Sequence, residues 1–146
     1  MKPGIDYIGT TTPFYCIDGK GNLLLHKRSP ACRDEHGRWD PGGGQVEFGE
    51  ALEQSALREV KEEYGCEGKI VGTLPAHSVL REHNGVKTHW VACPFFVLVD
   101  PQQVKVMEPE KVEDIGWFTL NSLPSPLHSG FEKTLLSYRK HFEKYV

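Results

Sequence analysis

Three glutamates, Glu59, Glu62 and Glu63, stand in the run Arg58-Glu59-Val60-Lys61-Glu62-Glu63-Tyr64-Gly65-Cys66. On a helix, residues three and four apart are surface neighbours, so these carboxylates share one face. Like charges at that spacing repel by about a few tenths of a kcal/mol per pair. One reading is a solvated acidic face tempered by Arg58 and Lys61. The other is a site for a hard divalent cation, since Mg²⁺ and Mn²⁺ prefer carboxylate oxygen. Gly42, Gly43 and Gly44 precede the helix and Gly49 stands at its entrance. Such a turn lets backbone approach a polyanion closely or take positive φ. Phosphate with a divalent cation is the guest that suits both features.

The element that must carry these side chains is a helix of about four turns closed by Gly65. Ala56, Leu57, Val60 and Tyr64 fall on one arc of it, an apolar stripe fit to pack on a sheet.

Gly44 is followed after five residues by Glu50, and Glu50 after seven by Arg58. With Glu59, Val60, Glu62, Glu63 and Gly65, this spacing resembles the box of the Nudix hydrolases. Its pattern is glycine, glutamate, then R-E-U-x-E-E-x-G-U with U apolar. Two positions depart from it. Cys66 occupies the last apolar position, where a buried thiol serves as a small hydrophobe. Pro41 comes one residue early, leaving Gly42 where the family usually has proline. The tail Glu108 to Pro124 (EPEKVEDIGWFTLNSLP) also resembles the family, so the likeness runs from Leu23 to Pro124.

The 146 residues fit one domain, 1–146, and a formal charge of −3 leaves no footprint for nonspecific nucleic-acid binding. An acidic chain handling a polyanion needs a metal or local arginines. Cys16, Cys32, Cys66 and Cys93 show no paired spacing, which argues against zinc and for reduced thiols. The first residues lack a signal-peptide core and no long apolar run occurs, so the expectation is a cytoplasmic protein without membrane contact.

Along the chain, Ile5 to Ile17 reads as one or two strands. It is followed by a turn at Asp18–Gly21 and a second hairpin strand through Leu23, Leu24 and Leu25. That leucine run implies a strand covered on both faces. Ser29 to Arg38 reads as a polar loop and Trp39 as a core or lid aromatic. Lys69–Leu74 and Ala76–Glu82 read as strands split by Pro75. Thr88–Val99 is the longest β-like run, with a bulge or unpaired edge expected at Pro94. Within it His89 and Trp90 point to opposite faces, and one could line a pocket. Ile115–Leu120 reads as a short strand, and Phe131–Tyr145 as one closing amphipathic helix. The fold class is α/β (α+β), which the resemblance sharpens to a mixed sheet between helices.

The resemblance implies a metal-dependent pyrophosphohydrolase acting on a nucleoside diphosphate linked to another group. It implies Mg²⁺, or Mn²⁺, on Glu59, Glu62 and Glu63 with Gly43 of the turn. Arg58 is expected to orient the box by pairing with a carboxylate, Glu50 to tie turn to helix, and Gly44 to meet substrate. Arg28 resembles a phosphate-contacting position. Asp40 either faces the substrate base or caps the turn. The general base is Glu59 or a loop glutamate among Glu108, Glu110 and Glu113. Val79–Asn84 lacks the proline or tyrosine that marks the ADP-ribose and dinucleoside polyphosphate subgroups. That favours a normal or oxidised (d)NTP over ADP-ribose or a nucleotide sugar. A noncatalytic nucleotide binder is the reading from another class, and a homodimer is left open.

Overall fold

The computed structural model describes residues 1–146. The strands are β1 (Gly9–Thr11), β2 (Phe14–Ile17), β3 (Leu23–Arg28), β4 (Trp39–Asp40), β5 (Lys69–Thr73), β6 (His77–His83), β7 (Val86–Ala92), β8 (Phe95–Leu98) and β9 (Val112–Phe118). The helices are α1 (Leu52–Tyr64), α2 (Ser129–Ser137) and α3 (Arg139–Phe142). The larger sheet runs β4-β3-β2-β8-β5, with β9 also paired to β3. The smaller sheet runs β1-β7-β6. Parallel β2–β8 and antiparallel β2–β3, β3–β9 and β5–β8 make the larger sheet mixed, as expected.

Alternation along the strands builds a core on each face of the larger sheet. Phe14, Cys16, Leu24 and Val97 pack with Ala56, Val60 and Tyr64 of α1. Tyr15, Ile17, Leu23, Leu25 and Phe96 pack with Phe131, Leu135 and Phe142 of the C-terminal helices. This explains the leucine run: all three leucines are fully buried because the sheet is covered on both sides.

The run Thr88–Val99 does not form one strand. It divides at Cys93-Pro94 into β7 of the smaller sheet and β8 of the larger. The chain Gly9–Ile17 divides beside it at Thr12-Pro13. β1 lies parallel to β7 and β2 parallel to β8, so the two chains turn the corner side by side. Proline suits the corner because it has no N–H to leave unpaired. Around it, Cys93 N–H donates to Thr11 O at 2.9 Å and Phe95 N–H to Pro13 O at 3.0 Å. The closing helix is likewise two. Tyr138 leaves helical geometry at φ −124°, and the break swings Phe142 fully under the sheet against Tyr15 and Phe96. β9 begins at Val112, earlier than its apolar residues indicate, because its first residues pair with Lys27 and Arg28.

Candidate active site

α1 carries the box and buries Ser55, Ala56, Val60 and Tyr64. Gly65 ends it in the left-handed region at φ 66°, where glycine carries no Cβ penalty. Tyr64 then fastens the helix to the glycine turn. Its Oη donates to Pro41 O at 3.0 Å and lies 2.6 Å from His26 Nδ1. A hydroxyl has one proton, so both bonds form only when His26 carries its own proton on Nδ1.

The turn lies directly against the carboxylates. A Cβ at Gly42, where φ is +121°, would fall 2.7 Å from Glu63 Oε2 and 2.5 Å from the Phe14 ring. A Cβ at Gly44 would overlap the Glu59 carboxylate. Three glycines suggest close approach to a ligand. In the fold, Gly42 and Gly44 give room to Glu63 and Glu59.

The three box glutamates differ sharply in environment. Glu63 Oε2 is buried without a hydrogen-bond partner. Burial pushes its pKa well above the ordinary carboxylate value, and the charges of Asp40, Glu59 and Glu108 push it further. Glu59 is half-buried, and burial raises its pKa too, against the pull of Arg58. Glu62 points outward, 55% exposed. In this conformation no three His, Cys, Asp or Glu side chains converge closely enough to hold a metal ion, and Arg58 supplies the positive charge among them. Its Nε bonds Glu50 at 2.6 Å, while Nη1 bonds Glu59 at 2.8 Å and Glu62 at 3.2 Å. Nη2 adds Gln45 O at 3.1 Å. Glu50 in turn accepts from the Glu47 amide at 3.1 Å, closing the loop before the helix. The Arg58 hydrogen bonds hold Glu50 down to a pKa of about 2.

The residues fit a hard divalent cation. An orphaned, buried carboxylate oxygen beside a second half-buried carboxylate is costly for the protein alone, and oxygen-seeking cations relieve that kind of cost.

Beside the turn opens a cleft of about 430 Å³ that Arg28, Asp40 and Gly42–Gly44 border on one side. Arg28 is engaged within the protein: Nε to Asp34 O, Nη1 to Asp40 and Nη2 to Asp34 Oδ1, each at 3.1 Å. Asp40 accepts weakly from the Gly42 amide at 3.4 Å, the turn-capping geometry, as well as from Arg28. Both border the cleft, and Arg28 uses three of its five N–H donors in these bonds. Of the loop glutamates, Glu108 acts electrostatically on Glu63. Glu113 pairs with Lys27 at 3.6 Å, and Glu110 is exposed with only its backbone carbonyl bonded, to Ser29. Trp90 lines the cleft, and His89 faces a more open groove beside Gly4–Ile8 that holds no box residue.

Sequence reasoning missed Arg81 and His128, both of which line the cleft. Arg81 carried a signal: it shares the two-residue period of His77 and Val79, which puts all three on one face of β6.

A NUDIX domain family model matches residues 10–138. The chain is 37% identical over 73 residues to "CTP pyrophosphohydrolase" of Escherichia coli K12, covering 50% of this chain and 52% of that protein. It is 32% identical over 105 residues to "NAD-capped RNA hydrolase NudC" of Pseudomonas aeruginosa, covering 72% of this chain and 34% of that protein. It therefore spans about half the length, or less, of these curated relatives. Among solved structures, the MutT NUDIX hydrolase from Burkholderia pseudomallei superposes with a TM-score of 0.77 at 29% identity, covering 91% of this chain and 99% of that one. The MutT protein from Methanosarcina mazei Go1 gives 0.67 at 25%, covering 92% and 94%. With the box on α1 and the family model matched over most of its length, this chain belongs to the NUDIX domain family.

Proposed function

We propose that this chain is a divalent-cation-dependent pyrophosphohydrolase. It takes a normal or oxidised (d)NTP to the monophosphate and pyrophosphate. The observation that carries the reading is Glu63 Oε2, buried and unpaired against Gly42 of the glycine turn, which itself borders a cleft large enough for a nucleoside. Similarity to a protein named "CTP pyrophosphohydrolase" supports a nucleoside triphosphate.

Glu63 and Glu59, with Glu62 at the rim and the Gly43 backbone, would hold Mg²⁺ or Mn²⁺. When bound, the cation neutralises polyphosphate charge and lowers the pKa of water. The protein's own part begins with Arg58, which fixes Glu59 and ties α1 to the loop through Glu50. Glu59, its pKa raised by burial, is suited to take a proton from the attacking water. Glu108 is the loop carboxylate that serves if Glu59 only binds metal. Water oxygen forms a bond to phosphorus, the anhydride P–O bond breaks, and pyrophosphate leaves with the bonding pair.

The test is phosphate release from a nucleotide panel with Mg²⁺ or Mn²⁺, coupled to pyrophosphatase, or to a phosphatase for nucleotide sugars. Turnover of (d)NTPs without ADP-ribose turnover is expected. The reverse pattern transfers the assignment to nucleotide-sugar hydrolysis, and silence across the panel makes the chain a binder. Glu59→Gln and Glu63→Gln should each lower kcat at least about a hundredfold.

A further inference from the structure

We infer that Trp90 is the platform on which the nucleobase stacks, and that it binds the base by its π face rather than by its hydrogen-bonding edge; this rests on the proposed nucleotide chemistry. Of the three tryptophans, Trp39 pairs with Phe118 in the core under α2 and α3, and Trp117 packs on the core under α1. Trp90 joins neither core and lines the cleft. A large aromatic side chain left outside both cores and set in a cleft is placed to receive a ligand.

The indole is seated on bare backbone. A Cβ at Gly4 would overlap the ring at Cε2, and one at Gly9 would fall 2.5 Å from Cζ3. The Gly9 Cβ would also fall 3.0 Å from Gly4 N, so the two glycines lie side by side against the ring. Gly9 is the β1 partner of Trp90, and Gly4 accepts from the His89 amide at 2.8 Å. Gly4 has φ +79°, which a side chain would strain. Two positions without a side chain therefore fix one ring before any ligand arrives, which reduces the ordering cost of binding.

Alternation and register decide what the ring meets. Ala92, Trp90 and Thr88 share one face of β7, and all three line the cleft with Trp90 in the middle. Thr11 Oγ1 donates to Gly44 O at 2.9 Å, and Thr11 is level with Ala92. Trp90 is two residues further along β7, about 7 Å at strand rise. Gly44 lies against Glu59 of the box, so the offset from phosphates at the turn to the ring is that of a ribose. The other aromatic lining of the cleft, Tyr15 and Phe131, comes from the larger sheet and α2. Every base has a π face, so stacking holds purines and pyrimidines alike.

The experiment measures kcat and KM for ATP, GTP, CTP and UTP in wild type, Trp90→Leu, Trp90→Phe and Gly9→Ala. It also follows tryptophan fluorescence during titration with AMP, GMP, CMP and UMP, with ribose 5-phosphate as the ligand that has no base. Trp90→Leu should raise KM about tenfold for all four triphosphates and raise it more than it lowers kcat. Trp90→Phe, which keeps a ring, should fall between wild type and Trp90→Leu. Gly9→Ala keeps the indole but displaces it, and should raise KM as well. Each monophosphate should quench wild-type fluorescence saturably, ribose 5-phosphate should not, and the quench should vanish in Trp90→Leu. If Trp90→Leu does not fold, the wild-type quench with the Trp90→Phe and Gly9→Ala constants decides the question. A lowered thermal midpoint with KM and quench unchanged would make Trp90 an anchor for the first residues of the chain and overturn the inference. A KM rise confined to one base overturns it too, because that is recognition of an edge. In both cases the hydrolase reading stands. Absence of all triphosphate turnover overturns the hydrolase reading, and the monophosphate quench then still decides the role of Trp90.

Discussion

At the scale of single residues, the free energy argument turns on charges that the protein does not satisfy itself. Glu63 is the extreme and Glu50 the opposite: answered by Arg58 and the Glu47 amide, with a pKa of about 2 against an ordinary 4.5. The sign of its pH dependence follows. Native Glu50 gives up its proton more readily than in the unfolded chain. Its stabilisation is thus complete above pH 4.5 and is lost as pH falls toward 2. Thermal midpoints of Glu50→Gln should lie below wild type at pH 6, with the gap closing between pH 4.5 and 2. A gap that stays constant through that window contradicts the pairing. Residue types at fixed spacing were readable in the chain itself: the carboxylates, Arg58 and its carboxylate partner. The employment of Arg28 was not, since Asp34 and Asp40 reach it only once the loop has folded back. Arg81 was hidden for the same reason, because Glu35, its ion-pair partner, is 46 residues away in the chain.

At the scale of elements, Tyr64 joins helix to turn. Tyr64→Phe removes both bonds at once and leaves Pro41 O and His26 Nδ1 without their buried partner. We expect a loss of about 1–3 kcal/mol by urea unfolding, together with a lower kcat because the turn loses its register on Glu63. A variant as stable and active as wild type would show that turn and helix are held by packing alone. The helix, its apolar stripe and its glycine stop were legible because each is a local signal. The sheet corner was not. Pro94 announced an interruption, yet only pairing with β1 and β2 shows that the chain changes sheets there. The break at Tyr138 has no proline or glycine to mark it and follows from seating Phe142 in the core.

At the scale of the whole molecule, the two sheets differ in cover. β2, most of β3 and most of β8 are buried between α1 and the C-terminal helices, whereas β6 and β7 are half-exposed, with Leu80 at 68%. Amide hydrogen exchange should therefore be slowest in Phe14–Ile17, Leu23–Leu25 and Phe95–Leu98 and several orders of magnitude faster in the β6–β7 hairpin. Equal protection would mean that the smaller sheet opens only with global unfolding. The hairpin also bears on the cleft, because Arg81 and Trp90 line it. The α+β class and the sandwiched sheet were readable from the leucine run and the apolar helices. The strand pairing was not, because it is fixed by contacts between residues distant in the chain. No helix is long and apolar enough to cross a membrane. The central claim is that Glu63 and Glu59 hold a divalent cation against the glycine turn, and Mn²⁺ binding followed by electron paramagnetic resonance tests it directly. Wild type should bind Mn²⁺ and Glu63→Gln should bind it at least about tenfold more weakly; equal binding by the two proteins would contradict the account.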